Sequence, residues 1–242
     1  MVALSGQENL FFCSLGFSLR SGLKSTYISK IRIQLVINCL FIMNDYSKLF
    51  QNIILEDETV LLRSLEESDV EHLLEISLNE PETWEYSLVR ADGKENLENY
   101  IQIALKARAN QMEFPFIVFD KKSGKYAGST RFYDINLGFK TLQLGYTWYG
   151  KNFRGTGLNK HCKFLLLQFA FETLGMERVE FRADNNNQRS IAAMKSIGCT
   201  VEGIMRSHMP TSDSEVRRDS IVLSILKKEW FDSVKQNLKE KL

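Results

Sequence analysis

The stretch best suited to chemistry runs Tyr149-Gly150-Lys151-Asn152-Phe153-Arg154-Gly155-Thr156-Gly157-Leu158-Asn159-Lys160. An apolar strand-like run ends there, two glycines stand two apart, and a long helical pattern begins at once. Glycine turns tightly and lets bare backbone N–H groups approach a ligand. A helix start adds unpaired donors and about half a positive charge, which together hold phosphate oxygens. Lys151, Arg154 and Lys160 bring further positive charge. The spacing is not that of a GxxxxGK[ST] phosphate loop. A GxGxxG dinucleotide turn would place Lys160 at the third glycine, too bulky for close helix–strand packing, although Asp184 ends the next strand where a ribose-binding acid could sit. A coenzyme A pyrophosphate turn and a bare helix cap are the other readings.

The elements that must position this turn follow from periodicity. Val60–Leu65 reads as a strand, and Ser68 as the cap of a helix with Val70, Leu73, Leu74 and Leu78 at helical spacing. Residues 79–95 form a loop rich in acids and aromatics, and a second helix spans about Leu97 to Ala109. Three strand-like runs come next, Phe114–Asp120, Tyr126–Ile135 and Thr141–Tyr149. A helix from Gly157 to Leu174, a strand Arg178–Ala183, a helix Asn187–Ile197 and strands Thr200–Met209 and Val216–Leu226 complete the order. In the tail Lys227–Leu242, Trp230, Val234 and Leu238 recur every four residues, which predicts a packed helix. The order is that of one α/β domain mixing antiparallel hairpins with two helical crossovers.

Composition bounds the partners. Among 242 residues, 31 bases face 30 acids, so a polyanion-tracking surface and a nucleic-acid role are disfavoured. The cysteines Cys13, Cys39, Cys162 and Cys199 form no CxxC pair, and His72, His161 and His208 are equally scattered, so no metal is expected. Unpaired thiols suit a reducing compartment, which predicts a cytoplasmic protein. Residues 1–42 carry Arg20, Lys24, Lys30 and Arg32 against Glu8 alone and show no sustained periodicity. They are expected to be an extension outside the fold, read as upstream sequence ahead of a start at Met43, with the domain spanning 43–242. Their apolar runs are each about a dozen residues or fewer, short of the roughly 20 that span a membrane. A weak targeting or membrane-contact segment is the alternative.

Three stretches together resemble the GNAT acetyltransferases, and within them the ribosomal-protein (Rim-type) group. Leu144-Gly145-Tyr146-Thr147-Trp148 leading into Asn152–Gly157 is similar to the family's strand and Q/R-x-x-G-x-G/A loop. Asn187-Gln188-Arg189-Ser190 through Ile197-Gly198-Cys199 is similar to its N-x-x-S segment, and Glu202-Gly203-Ile204-Met205-Arg206 to its E-G-x-x-R strand. The resemblance covers about residues 57–230. It implies a mixed, mostly antiparallel central sheet flanked by helices, and transfer of acetyl from acetyl-CoA to a primary amine in a ternary complex. Two positions depart: Asn152 stands where Gln or Arg is usual, and Met194 where many members place the tyrosine that protonates the leaving thiolate.

The resemblance also implies roles. Thr147, Trp148 and Tyr149 would bind the pantetheine arm through their backbone, and Asn152, Phe153, Arg154, Gly155, Thr156, Gly157 and Leu158 the pyrophosphate. Asn187 would contact the arm or cap its helix. Ser190 would hydrogen-bond or protonate the sulfur. Glu202 would be a base through water or a structural partner of Arg206, and His161 a surface or packing residue. The acceptor would meet the 79–95 loop, where Glu80, Glu82, Glu85 and Asp92 beside Trp84 and Tyr86 would favour a cationic amine; a solvated acidic loop is the plainer reading. A coenzyme A-binding module without catalysis and a nicotinamide-dependent oxidoreductase are the rivals. Monomer and homodimer both remain open.

Overall fold

The structure, a computed structural model, describes residues 53–211 and 214–242. The expected extension 1–42 and the domain start at Met43 lie outside them. Eight strands form one sheet: β1 (Ile54–Glu56), β2 (Val60–Ser64), β3 (Phe114–Asp120), β4 (Lys125–Asn136), β5 (Thr141–Tyr149), β6 (Arg178–Asp184), β7 (Thr200–Thr211) and β8 (Ser214–Leu226). Their spatial order is β1-β2-β3-β4-β5-β6-β8-β7. Every neighbouring pair is antiparallel except β5 and β6. This is the mixed, mostly antiparallel sheet expected. The strand β1 has no counterpart in the sequence reading, because three residues are too few for a period. The Asp57 carboxylate secures the β1–β2 turn by accepting from the N–H groups of Thr59 and Val60, at 2.8 and 2.9 Å.

The parallel pair is short. Thr141, Leu142 and Gln143 face Arg178, Val179 and Glu180, and pairing stops there. Just beyond, the register between β4 and β5 slips between Ser129 and Arg131, and Tyr146 takes φ 48°. The bulge bends β5 away from β6. Asp184, at the end of β6, and Thr147 of β5 both line the opening. At the outer edge, β7 breaks register with β8 between Val201 and Gly203, between Met205 and Met209, and between Pro210 and Thr211.

Helices cover both faces. On one, α1 (Asp69–Asn79) and α2 (Lys94–Ala109) bury Leu73, Ile76, Leu97, Tyr100, Ile101 and Ala104 with Ile117, Trp84 and Trp148. On the other lies α3 (Leu158–Gln168), continued by a wider turn Phe169–Thr173. The closing helical segment, Lys227–Lys239, packs on it: Trp230 stacks on Phe171 at 5.7 Å and donates its indole N–H to Glu172. Trp230, Val234 and Leu238 are all buried, as their spacing predicted. Removing a buried Trp side chain costs about 3–5 kcal/mol, so this tail is part of the fold.

Two helix starts differ from each other. Ser68 makes no side-chain cap; the adjacent, fully buried Asp69 accepts from the Glu66 N–H and holds the Arg63 guanidinium at 2.6 and 2.8 Å. Asp69 thus ties the turn before α1 to β2 instead. Asn187 does cap α4 (Gln188–Ser196), its side-chain oxygen accepting from the Ser190 N–H at 3.0 Å.

Candidate active site

Where β5 and β6 part, a cavity of about 590 Å³ opens. That is the size of a cofactor site rather than a packing fault. Its charged lining is one-sided. Arg154, Lys160, Lys163, Arg182, Arg189 and Arg218 line it, with Asp184 as the single carboxylate among the described residues. Such a surface favours a polyanionic ligand.

The turn after β5 supplies the main-chain donors. Gly155 and Gly157 adopt φ 76° and 93°, and open space lies where each Cβ would be. Side chains rarely adopt this left-handed region, so glycine fits both places. The N–H groups of Gly155, Thr156 and Gly157 donate to no protein acceptor among the described residues. They precede the start of α3, whose first-turn N–H groups add to the same field. Leu158 anchors that start in the core, and Thr156 Oγ1 bonds back to the Phe153 carbonyl at 2.9 Å.

Beyond Gln143, the edge of β5 facing away from β4 has no strand partner among the described residues. Adjacent residues there face opposite layers: Trp148 packs into the α1–α2 cluster, whereas Thr147 meets Lys163 of α3. Asn187, Ser190 and Met194 of α4 line the far wall. The Asn187 oxygen is engaged as a cap, which leaves its amide NH₂ for a ligand.

An aromatic wall occupies the side under α2 and the 83–89 segment. Tyr86, Tyr100, Tyr133 and Tyr146 line it. Behind them the buried Arg131 guanidinium lies 4.6 Å from the Tyr100 ring centre and 4.1 Å from that of Tyr146, with Glu113 at 2.6 Å. The two rings stand in for water around a cation whose Nε and Nη2 have no hydrogen-bond partner. Burial raises the hydroxyl pKa values of Tyr133 and Tyr146, so both stay neutral. Arg218 of β8 closes this wall by donating to the Tyr86 carbonyl at 3.2 Å. Asp184 is 5% exposed and accepts from the Asn186 N–H at 2.8 Å.

A profile described as the acetyltransferase (GNAT) domain matches residues 59–200. The chain belongs to the GNAT acetyltransferase family. It is an acyltransferase, and the nicotinamide reading falls with that membership. A Bacillus subtilis protein named "Putative ribosomal N-acetyltransferase YdaF" is 26% identical over 180 residues, covering 72% of this chain and 94% of that protein. The crystal structure of a GCN5-related N-acetyltransferase from Brucella melitensis superposes with a TM-score of 0.72 at 26% identity, over 78% of this chain and 85% of that one. A ribosomal-protein-S5-alanine acetyltransferase from Vibrio fischeri shares the fold, with a TM-score of 0.61 at 17% identity, over 74% and 99% of the two chains.

Within this GNAT domain the expected site residues separate into groups. Thr147, Trp148, Tyr149, Phe153, Arg154, Gly155, Gly157, Asn187, Ser190 and Tyr86 line the cavity together. Asn152 is exposed outside it, and Trp84 is fully buried in the core, 5.0 Å from Trp148. The acidic loop is largely neutralised from within. Glu82 pairs with Lys151, and Glu80 accepts from the Lys151 N–H at 2.7 Å and lies 3.7 Å from Arg154. Asp92 holds Arg90 at 2.6 Å, while Glu85 borders only a small recess beside Tyr86. Two of the three basic side chains expected at the phosphates have protein partners: Lys151 pairs with Glu82, and Arg154 donates to the Tyr149 carbonyl and to Thr83, whereas Lys160 lines the cavity.

Glu202 lies outside the cavity and binds Arg178 and Ser224, each at 2.5 Å, rather than Arg206. His161 is buried, with Nδ1 2.7 Å from Asp57. Asp57, Glu58 and His161 are the one group of potential metal ligands among the described residues, and they stand outside the cavity. Two groups escaped the sequence reading. Asp184 was legible only as a ribose-binding acid, and Lys163 not at all. The one signal for Lys163 is a lone cation inside the apolar run Cys162–Leu167. Among the described residues no helix is long and apolar enough to cross a membrane.

Proposed function

We propose that this enzyme moves the acetyl group of acetyl-CoA directly to a primary amine while both are bound. The supporting observation is the cavity: unpaired N–H groups at Gly155–Gly157 on one side and, among the described residues lining it, a single carboxylate, Asp184. The residues present fit the cofactor. The pyrophosphate would sit on the Gly155–Gly157 donors with Lys160 beside it. The pantetheine arm would lie along the free edge of β5 at Thr147–Tyr149, with the Asn187 NH₂ on one of its carbonyls. A main-chain N–H of that edge would polarise the thioester carbonyl. Asp184 would take the proton that the amine loses, and Ser190 would donate a hydrogen bond to the sulfur. Holding two reactants side by side can supply roughly 7–11 kcal/mol of the barrier, so strong side-chain catalysts are not essential.

The name of the Bacillus subtilis relative supports a ribosomal protein as acceptor, and a terminal amine is the group such a substrate brings. Its first side chain would rest on Tyr86, Tyr100 and Tyr146. A cytoplasmic location accords with the buried free thiols of Cys162 and Cys199. The test is thiol release from acetyl-CoA against N-terminal peptides and small amines. Release with an N-terminal peptide supports the reading. Tight acetyl-CoA binding with no release for any amine would make the chain a silent binding module.

A further inference from the structure

One ionisable group in the cavity has no task in that scheme. Lys163 is buried in the α3 wall, 5% exposed. Its Nζ donates to Thr147 Oγ1 at 2.7 Å and Thr130 Oγ1 at 3.2 Å, and it pairs with no carboxylate among the described residues. An ammonium out of water needs compensation, and two hydroxyls supply little. Burial accordingly lowers its pKa to about 8, opposed weakly by the Cys162 and Cys199 thiols.

Its position is defined from two directions. Thr147 stands on the free edge of β5. Across the cavity, Met194 and Ile197 at the end of α4 line the same space as Lys163. Lys163 thus bonds to the strand edge and shares the cavity lining with Ser190, Met194 and Ile197 of the α4 side, the two elements that would flank the sulfur of a bound thioester. Met194 lines the same cavity and has no proton to give.

We propose that Lys163 donates the proton taken up by the departing coenzyme A thiolate. The inference rests on the acetyl-transfer reading. The amine nitrogen bonds to the thioester carbon, and the C–S bond breaks with its electron pair going to sulfur. Sulfur takes a proton from Lys163 Nζ, leaving a neutral lysine. The proton lost by nitrogen passes to Asp184. Solvent recharges Lys163 and discharges Asp184 after product leaves, so acetyl-CoA and amine become amide and free thiol. A proton donor with a pKa near the working pH gives up its proton readily and is reprotonated readily.

The experiment compares the full chain with Lys163→Met and Lys163→Arg. Arginine keeps the charge but holds its proton too tightly to transfer it. Both variants should bind acetyl-CoA by calorimetry within about threefold of the parent, while kcat falls by about a hundredfold in each. The parent's kcat should decline as pH rises through about 8, where the ammonium is lost, and the variants should lack that limb. Retained kcat in Lys163→Met, recovery of kcat in Lys163→Arg, or a parent profile flat from pH 7 to 10 overturns the assignment. Should either variant fail to fold, the parent profile alone decides. Absence of thiol release by the parent with every amine counts instead against the acetyl-transfer reading.

Discussion

The two sides of the cavity, proposed above to take the phosphates and the acceptor, are built by different means. On the phosphate side three consecutive residues, Gly155, Thr156 and Gly157, present main-chain N–H groups, and what their side chains contribute is mostly absence. On the acceptor side Tyr86, Tyr100, Tyr133, Asp184 and Arg218 arrive from five separate segments and act through their side chains. A main-chain site fits within a short motif, because one turn and one helix start create it. A side-chain site exists only once the sheet has brought its strands together.

Breaking the acceptor side should have the largest kinetic effect. Asp184→Asn removes the only carboxylate lining the cavity among the described residues and is expected to lower kcat by about a hundredfold, with acetyl-CoA affinity unchanged by calorimetry. An unchanged kcat would move the base elsewhere and leave this side without a chemical role. On the phosphate side, Gly157→Glu places a carboxylate where phosphate belongs, at a φ that side chains resist. Acetyl-CoA binding should weaken at least tenfold, about 1.4 kcal/mol, while circular dichroism stays native. Equal affinity would show that the phosphates sit at another place.

Two smaller effects sharpen the contrast. Ser190→Ala removes the hydrogen bond proposed to the sulfur, so kcat should fall by roughly three- to tenfold, more than KM for acetyl-CoA rises. A purely structural Ser190 would leave both constants alone. Lys163, lying between the two sides, should be visible in stability as well. Its pKa is about 8 when folded and near 10.5 when unfolded. Between those values the unfolded chain binds a proton that the folded one does not, so stability rises with pH across that window. Below about 8 the burial cost is fully present, and above 10.5 it is gone. Melting curves of the parent should show a rise of a few degrees across the window relative to Lys163→Met. Parallel curves would mean that Lys163 keeps an ordinary pKa.

What the sequence disclosed follows the same division. The glycine turn, the Asn187 cap and the four-residue spacing of Trp230, Val234 and Leu238 are local patterns, and each appears in the structure where the pattern put it. Charges were misjudged because their partners are remote. Glu80 and Glu82 looked free to attract an amine, and Lys151 and Arg154 looked free to hold phosphate. Some seventy residues of chain separate the two sets, and folding brings them onto one another, with the Lys151 N–H 2.7 Å from Glu80. Trp84 was taken for a binding aromatic because composition cannot distinguish an exposed ring from a buried one. Lys163 escaped because an isolated lysine in an apolar run looks like a surface residue until the opposite wall is known.

The broken edge of the sheet has a consequence for the molecule in concentrated solution. An outermost strand is a template on which a further chain can add, and long regular edges are where fibres begin. Although β7 is twelve residues long and leaves Val201 and Ile204 exposed, it falls out of register three times, turns through φ 52° at Ser207, and offers no N–H at Pro210. No incoming strand could keep continuous pairing along it. The irregularities of β7 thus make this edge a poor ladder for an added strand.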